Sequence, residues 1–336
     1  MSVPTTPDII PLSTDNESGF LYNKYKDTLT TLPKEKGWLS ESMFLYQGFW
    51  VEEGSVISAV DVMASQDSFQ ALPTDIYLAT LPKSGTTWLK ALTFAIVNRT
   101  RYNKTNSLST DHPLQCLNPH ICVPFLGMDS SHFPPSTNVD RHSPRLFATH
   151  IPYTSLPQSI LDSGCRIVYI CRSPKDVLVS LFHFTNKVRD KSLGVMTFEE
   201  AFEMFRKGMM PFGPCWDHLK GYYKAALERP LEILFLTYED MQKDTVNNVK
   251  RLAEFLGYPF TQEEEVEGVV HEIVKLCSFE TLKEVNKHGM VIADLPNDAF
   301  FRNGKVDDWT NHLTNEMSQI LDEITKEKFD GLDISF

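Results

Sequence analysis

Four short apolar runs constrain this 336-residue chain more than any other feature: IYLATL (76–81), RLFA (145–148), RIVYIC (166–171) and EILFLT (232–237). The second is short and the others lack strict polar alternation, so they suit strands covered on both faces, as in a parallel sheet. Three are followed by helical patterns, TWLKALTFAIVNR, KDVLVSLFHFTNKV and VNNVKRLAEFLG; the second is entered through Pro174 and the third stops at Gly257. Pro at a helix start and Gly just past its end fit helix-boundary chemistry. The expectation is a single α/β domain with a central parallel sheet flanked by helices and a phosphate-binding strand-loop-helix.

Around this grammar, residues 1–20, rich in Pro, Ser, Thr and Asp, read as a flexible leader, leaving 21–336 as the domain. YNKYKDTLTTLP reads as a short helix stopped by Pro33, and MFLYQGFW as an aromatic segment covering a pocket. The proline-rich stretch 102–143 reads as a loop system lining a pocket, and 283–300, with Gly289 and Pro296, as a candidate lid.

Ligands of open parallel sheets bind beyond the carboxyl ends of the strands. After the first run comes Pro82-Lys83-Ser84-Gly85-Thr86-Thr87-Trp88, leading into a helix. Backbone N–H groups, the helix dipole, one ammonium and three hydroxyls suit a phosphate-type anion, although a capped helix with a solvated lysine fits the same residues. The order is not that of G-x-x-x-x-G-K-[ST], which speaks against a nucleoside triphosphatase. Arg172 ends the third run and Ser180 lies within the helix after it; a guanidinium there suits bidentate phosphate binding, or an ion pair with Asp176. His150 ends the second run, where an imidazole of ordinary pKa ~6.5 is able to take a proton from a hydroxyl. Tyr238 ends the fourth, and Arg302-Asn303-Gly304 is either a second phosphate turn or a surface loop.

A formal charge of −12 with no basic tract disfavours nucleic acid. Six scattered cysteines without a C-x-x-C pair read as free thiols, and no run approaches the length of a membrane helix, so a cytosolic protein is expected. No metal-spaced His/Cys cluster is present, and Thr261 to Glu264 form a capping box rather than a metal site. His112, His120, His183 and His218 have no partner identifiable from sequence.

Together LPKSGTTWLKAL, the NPH and VPFL pair, PRLFATHIP, IVYICRSPKDVLVS, FGPCWDH, VKRLAEFLGYPF, KLCSFETLK and FFRNGKVDDW, in that order, resemble the plant cytosolic sulfotransferases over nearly the whole chain. The resemblance implies 3′-phosphoadenylyl sulfate (PAPS) as sulfuryl donor, a small hydroxylated acceptor and no metal. It implies that Lys83, Ser84, Gly85, Thr86, Thr87 and Trp88 hold the 5′-phosphosulfate. Arg172, Ser180, Arg302, Asn303 and Gly304 would hold the 3′-phosphate, and Tyr238, Trp88 and Phe279 would lie near the adenine. His150 would be the base, with Lys83 and Ser180 assisting departure of the bisphosphate. Three departures stand out: Asn303 replaces the family's usual lysine, Asp307 a common glycine, and residues 310–315 carry only a degraded form of the animal dimer motif, so a monomer is expected. Two other classes remain: a non-catalytic nucleotide-binding protein on the same fold, and a phosphotransferase, which would need Mg²⁺ carboxylates near the first loop.

Overall fold

The computed structural model describes residues 15–53, 57–102, 112–126, 144–288 and 295–336. Among them, seven strands form two sheets. The first sheet is antiparallel: β1 (Lys34–Lys36), β2 (Ser42–Tyr46) and β3 (Phe49–Glu52). The second holds the four apolar runs, β4 (Ile76–Thr80), β5 (Leu146–Thr149), β6 (Arg166–Cys171) and β7 (Ile233–Thr237), all parallel in the order β5-β4-β6-β7. β4 pairs with β5 on one side and β6 on the other, so the strand order reverses at β4. Such a reversal opens a crevice beyond the strand's carboxyl end.

Every residue of β4 is buried, as expected of a strand covered on both faces. One face of the sheet carries Tyr169, which stacks on Tyr222 of the helix Cys215–Glu228 at 4.2 Å and 11°. On the opposite face Arg166 meets the end of the helix Thr245–Leu256, where Gly257 (φ 79°) presents bare backbone to the guanidinium. The three helical patterns become Thr86–Tyr102, Pro174–Val188 and Thr245–Leu256, and Thr261 and Glu264 form the expected capping box.

Two expectations change. The amino-terminal helix runs Asp15–Thr31, so residues 15–20 are helical rather than leader; residues 1–14 lie outside the described residues. The aromatic segment MFLYQGFW is the β2–β3 hairpin, turned by Gln47 (φ 49°) and Gly48 (φ 87°) in the two-residue geometry that demands positive φ at both positions. Its strand β3 extends to the 211–213 segment, because Phe212 N–H donates to Trp50 O and Trp50 N–H to Gly213 O. That exchange brings Phe212 to the cavity described below. Among the described residues no helix is long and apolar enough to cross a membrane.

Candidate active site

The turn after β4 departs from ordinary backbone at two places. Lys83 has φ 70°, uncommon for a residue with a Cβ, and Gly85 has φ 109°. A Cβ on Gly85 would lie 2.9 Å from Tyr238 Cδ2, so glycine is required there by both conformation and space. Leu89 N–H donates to Gly85 O, and the helix begins at Thr86 with its first N–H groups facing the crevice end of the sheet. Lys83 Nζ sits 4.0 Å from the Phe184 ring centroid and 5.9 Å from that of Phe300. Burial, then repulsion from Arg172, Arg302 and Lys187, pushes this amine down to about 7. Lys83, Arg172 and Arg302 thus line one cavity.

Opposite the loop, Arg172 is held from three sides. It donates to Lys305 O at 2.5 Å and to Asp176 Oδ2 at 3.2 Å, and its guanidinium lies 4.6 Å over the Tyr238 ring. Asp176, almost wholly buried, also accepts from Asp307 N–H at 2.9 Å and Trp309 N–H at 3.0 Å. Arg172 therefore forms the ion pair with Asp176 and also lines the cavity. Arg302 pairs with Asp308 at 2.5 Å; against the effect of burial, hydrogen bonds from Arg302, Asn311 and Asn303 hold Asp308 at about 2. Tyr238 O–H donates to Gly304 O at 2.9 Å, and Gly304 (φ 68°) abuts Phe279 so closely that a Cβ would overlap its ring. The 302–304 turn is a wall of the cavity rather than a free surface loop. Arg172 Nε and Arg302 Nε are buried without a hydrogen-bond partner. Guanidinium donors left unsatisfied in this way suit an anionic partner.

His150 lies across the cavity from this pair. Its Nδ1 is 2.7 Å from Thr80 O, and a carbonyl only accepts, so Nδ1 carries the proton and Nε2 the lone pair. His218 holds the other side: its Nε2–H donates to His150 O at 3.0 Å while Tyr169 O–H donates to its Nδ1 at 2.9 Å. Burial, with added repulsion from Lys90, His218 and Lys83, outweighs the Thr80 hydrogen bond and pushes His150 down to about 3. The imidazole is neutral through the physiological range.

Phosphate loop, 302–304 turn and His150 all line one cavity of ≈ 890 Å³. Of the residues singled out from sequence, Lys83, Gly85, Thr86, Thr87, Trp88, His150, Arg172, Ser180, Tyr238, Phe279, Arg302, Asn303 and Gly304 reach it. Ser84 does not; it is buried in the turn, donating its N–H to Leu81 O. Trp88 and Tyr238 meet edge to face at 5.5 Å at one end. The other end is aromatic, with Phe125 at 4.8 Å and Phe212 at 5.4 Å from the His150 ring, and Phe184 and Phe300 beside Lys83. From the 102–143 and 283–300 segments, Phe125, Leu295 and Phe300 line it, as do Val188 and Asp190 at and just past the end of the helix Pro174–Val188; 103–111, 127–143 and 289–294 lie outside the described residues. Sequence reasoning missed His120 and His218, which have the partners that could not be named from sequence, and Phe212. The NPH triplet was the available signal for His120: Asn118 caps and Pro119 opens the short helix Pro119–Cys122 that carries it.

A family model described as a sulfotransferase domain matches residues 73–333. The chain is 47% identical over 291 residues to the flavonol 4′-sulfotransferase of Flaveria chlorifolia, covering 85% of this chain and 88% of that one. A solved Arabidopsis thaliana sulphotransferase superposes with TM-score 0.74 at 38% identity, over 98% of this chain and all of the other. The mouse sulfotransferase SULT7A1, solved in complex with PAP, gives TM-score 0.64 at 27% identity, over 87% and 95% of the two chains.

Proposed function

The chain belongs to the sulfotransferase family, whose members take their sulfuryl group from PAPS, and on that premise we propose that His150 is the base and a flat phenol the acceptor. The observation that carries this reading is the tautomer of His150. With Nδ1–H committed to Thr80 O, the Nε2 lone pair has no partner among the described residues and lies beside the aromatic end of the cavity.

The donor supplies an electrophilic sulfur and a phosphate leaving group. Lys83 and residues 85–88 suit its 5′ end, since anions are favoured where N–H groups and a helix N-terminus converge. The unpartnered Nε atoms of Arg172 and Arg302 suit its 3′-phosphate, and the crevice beside Trp88, Tyr238 and Phe279 suits the adenine. His150 Nε2 takes the acceptor's hydroxyl proton as the acceptor oxygen bonds to sulfur. The bond from sulfur to the bridging oxygen breaks, its electron pair stays on the 5′-phosphate, and Lys83 neutralises that charge. Helix Pro174–Val188 turns Ser180 toward the same cavity, where its hydroxyl joins in holding the bisphosphate. Phe125, Phe212, Phe184 and Phe300 leave room for a planar ring and favour it by edge and face contacts.

Labelled PAPS with a panel of phenols, flavonols, steroids and hydroxy-acids tests the reading. Transfer is expected to the planar phenols first, and His150→Ala should bind bisphosphate normally while losing about 10²–10⁴-fold in turnover. Full activity in His150→Ala removes the base assignment. Donor binding without transfer to any acceptor establishes instead a non-catalytic nucleotide-binding protein.

A further inference from the structure

Helix Thr86–Tyr102 buries a lysine completely: Lys90 has no exposed surface, and no ion pair among the described residues includes it. Its Nζ lies 3.4 Å from the Phe125 ring centroid and 3.0 Å from His120 Nδ1. His120 in turn places Nε2 3.0 Å from Thr87 Oγ1, its ring held between Phe125 at 5.5 Å and Phe300 at 4.4 Å. Its backbone N–H is fixed by Asn118 Oδ1 at 3.0 Å. An amine buried without a carboxylate weakens a fold, so stability does not account for Lys90.

We propose that Lys90 and His120 are positioning residues for the sulfuryl donor, together turning the Thr87 hydroxyl so that its proton points at the donor's 5′-phosphate. This rests on the donor placement given above. Proton direction decides it. As an ammonium, the form that a bound anion favours, Lys90 donates and does not accept, so it donates to Nδ1 and sets His120 as the Nε2–H tautomer. Nε2–H then donates to Thr87 Oγ1, which frees that hydroxyl's own proton for the cavity that Thr87 lines. In the opposite direction Thr87 would donate to His120 and present lone pairs to an anion. Burial draws both Lys90 and His120 toward their neutral forms. An anion at the loop restores the ammonium, so occupancy and relay direction reinforce one another. The adjacent hydroxyl has a different duty: Thr86 Oγ1 is 2.7 Å from Thr80 Oγ1, which is 3.2 Å from His150 Nδ1. Two consecutive hydroxyls at the start of one helix are thus tied to two histidines, Thr86 toward His150 and Thr87 toward His120 and Lys90.

A double-mutant cycle on the full chain, with Lys90→Met, Thr87→Val and both together, tests this by calorimetric binding of adenosine 3′,5′-bisphosphate and by thermal melting. Each single variant should weaken binding roughly tenfold, and the double variant by about the same tenfold, because Lys90 acts only through Thr87. Lys90→Met should also melt higher than the wild type. Two losses that multiply to about a hundredfold, or Lys90→Met binding within about twofold of wild type, overturn the relay. A second pair leaves the lysine untouched: His120→Gln, whose amide N–H still reaches Thr87, should bind within about threefold of wild type, whereas His120→Leu should lose about tenfold. Equal losses in that pair also overturn it. A wild-type protein that binds no bisphosphate overturns the donor placement and the relay together, while multiplying losses in a protein that binds overturn the relay alone.

Discussion

Asp176→Asn isolates the element that positions the 302–304 turn. The Asp176 carboxylate accepts from Asp307 N–H at 2.9 Å, Trp309 N–H at 3.0 Å and Arg172 at 3.2 Å, and is only 1% exposed. Asparagine keeps the shape and one acceptor, but turns an N–H toward a second N–H and leaves Arg172 without its counter-charge. Hydrogen bonds to a charged group contribute about 1.5–3 kcal/mol each, and breaking a buried pair costs about 3–5 kcal/mol. These overlap on the same three contacts, so the expected loss is about 3–5 kcal/mol rather than their sum. Urea unfolding measures it. Most of the loss belongs to the 301–309 segment, so binding discriminates further: adenosine 3′,5′-bisphosphate should bind at least about 100-fold more weakly, equivalent to about 2.7 kcal/mol, while adenosine 5′-phosphate should be affected less than about threefold. An Asp176→Asn protein that unfolds within about 1 kcal/mol of wild type and binds both ligands normally would refute the role of Asp176, since either change alone would exceed ordinary surface effects.

Gly85→Ala forces a Cβ onto a residue at φ 109° and to 2.9 Å from Tyr238 Cδ2. It should cost about 1–3 kcal/mol in stability and roughly tenfold or more in bisphosphate affinity, read by melting and calorimetry. Lys83, pushed down to about 7, is charged below that pH in the free protein and loses its proton as pH rises through it. The charged form binds the anion, so the bisphosphate Kd should weaken by up to about tenfold per unit as pH rises above about pH 7, where the ligand's phosphates are already fully ionised. Lys83→Met should bind weakly and without that slope. Asn303→Lys adds a cation beside Arg302 and Asp308 and should tighten bisphosphate binding about fivefold at low salt, with the gain shrinking as ionic strength rises. A salt-independent gain would point away from electrostatics.

What could be read from the sequence divides along a physical line. The four parallel strands, the helices after three of them and the turn after β4 are local: apolar runs, Pro174, Gly257 and a lysine-glycine turn each act within a few residues of themselves. The aromatic end of the cavity is not local. Phe125, Phe184, Phe212 and Phe300 come from four segments, and Phe212 reaches its place only because β3 exchanges hydrogen bonds with the 211–213 segment. The antiparallel sheet was missed for a related reason, since β1 is three exposed residues whose pairing with β2 leaves no periodic trace. Histidines show the line most clearly. His120 follows Pro119 and His150 stands two residues before Pro152, and both line the cavity against Phe125. What separates them is which ring nitrogen meets a carbonyl and which meets an amine. A carbonyl at Nδ1, with no partner for Nε2 among the described residues, suits His150 to the base role proposed above, whereas an amine at Nδ1 and a hydroxyl at Nε2 leave His120 no such lone pair. Ten histidines offer the same imidazole, and the hydrogen-bond partner on the far nitrogen assigns its chemistry.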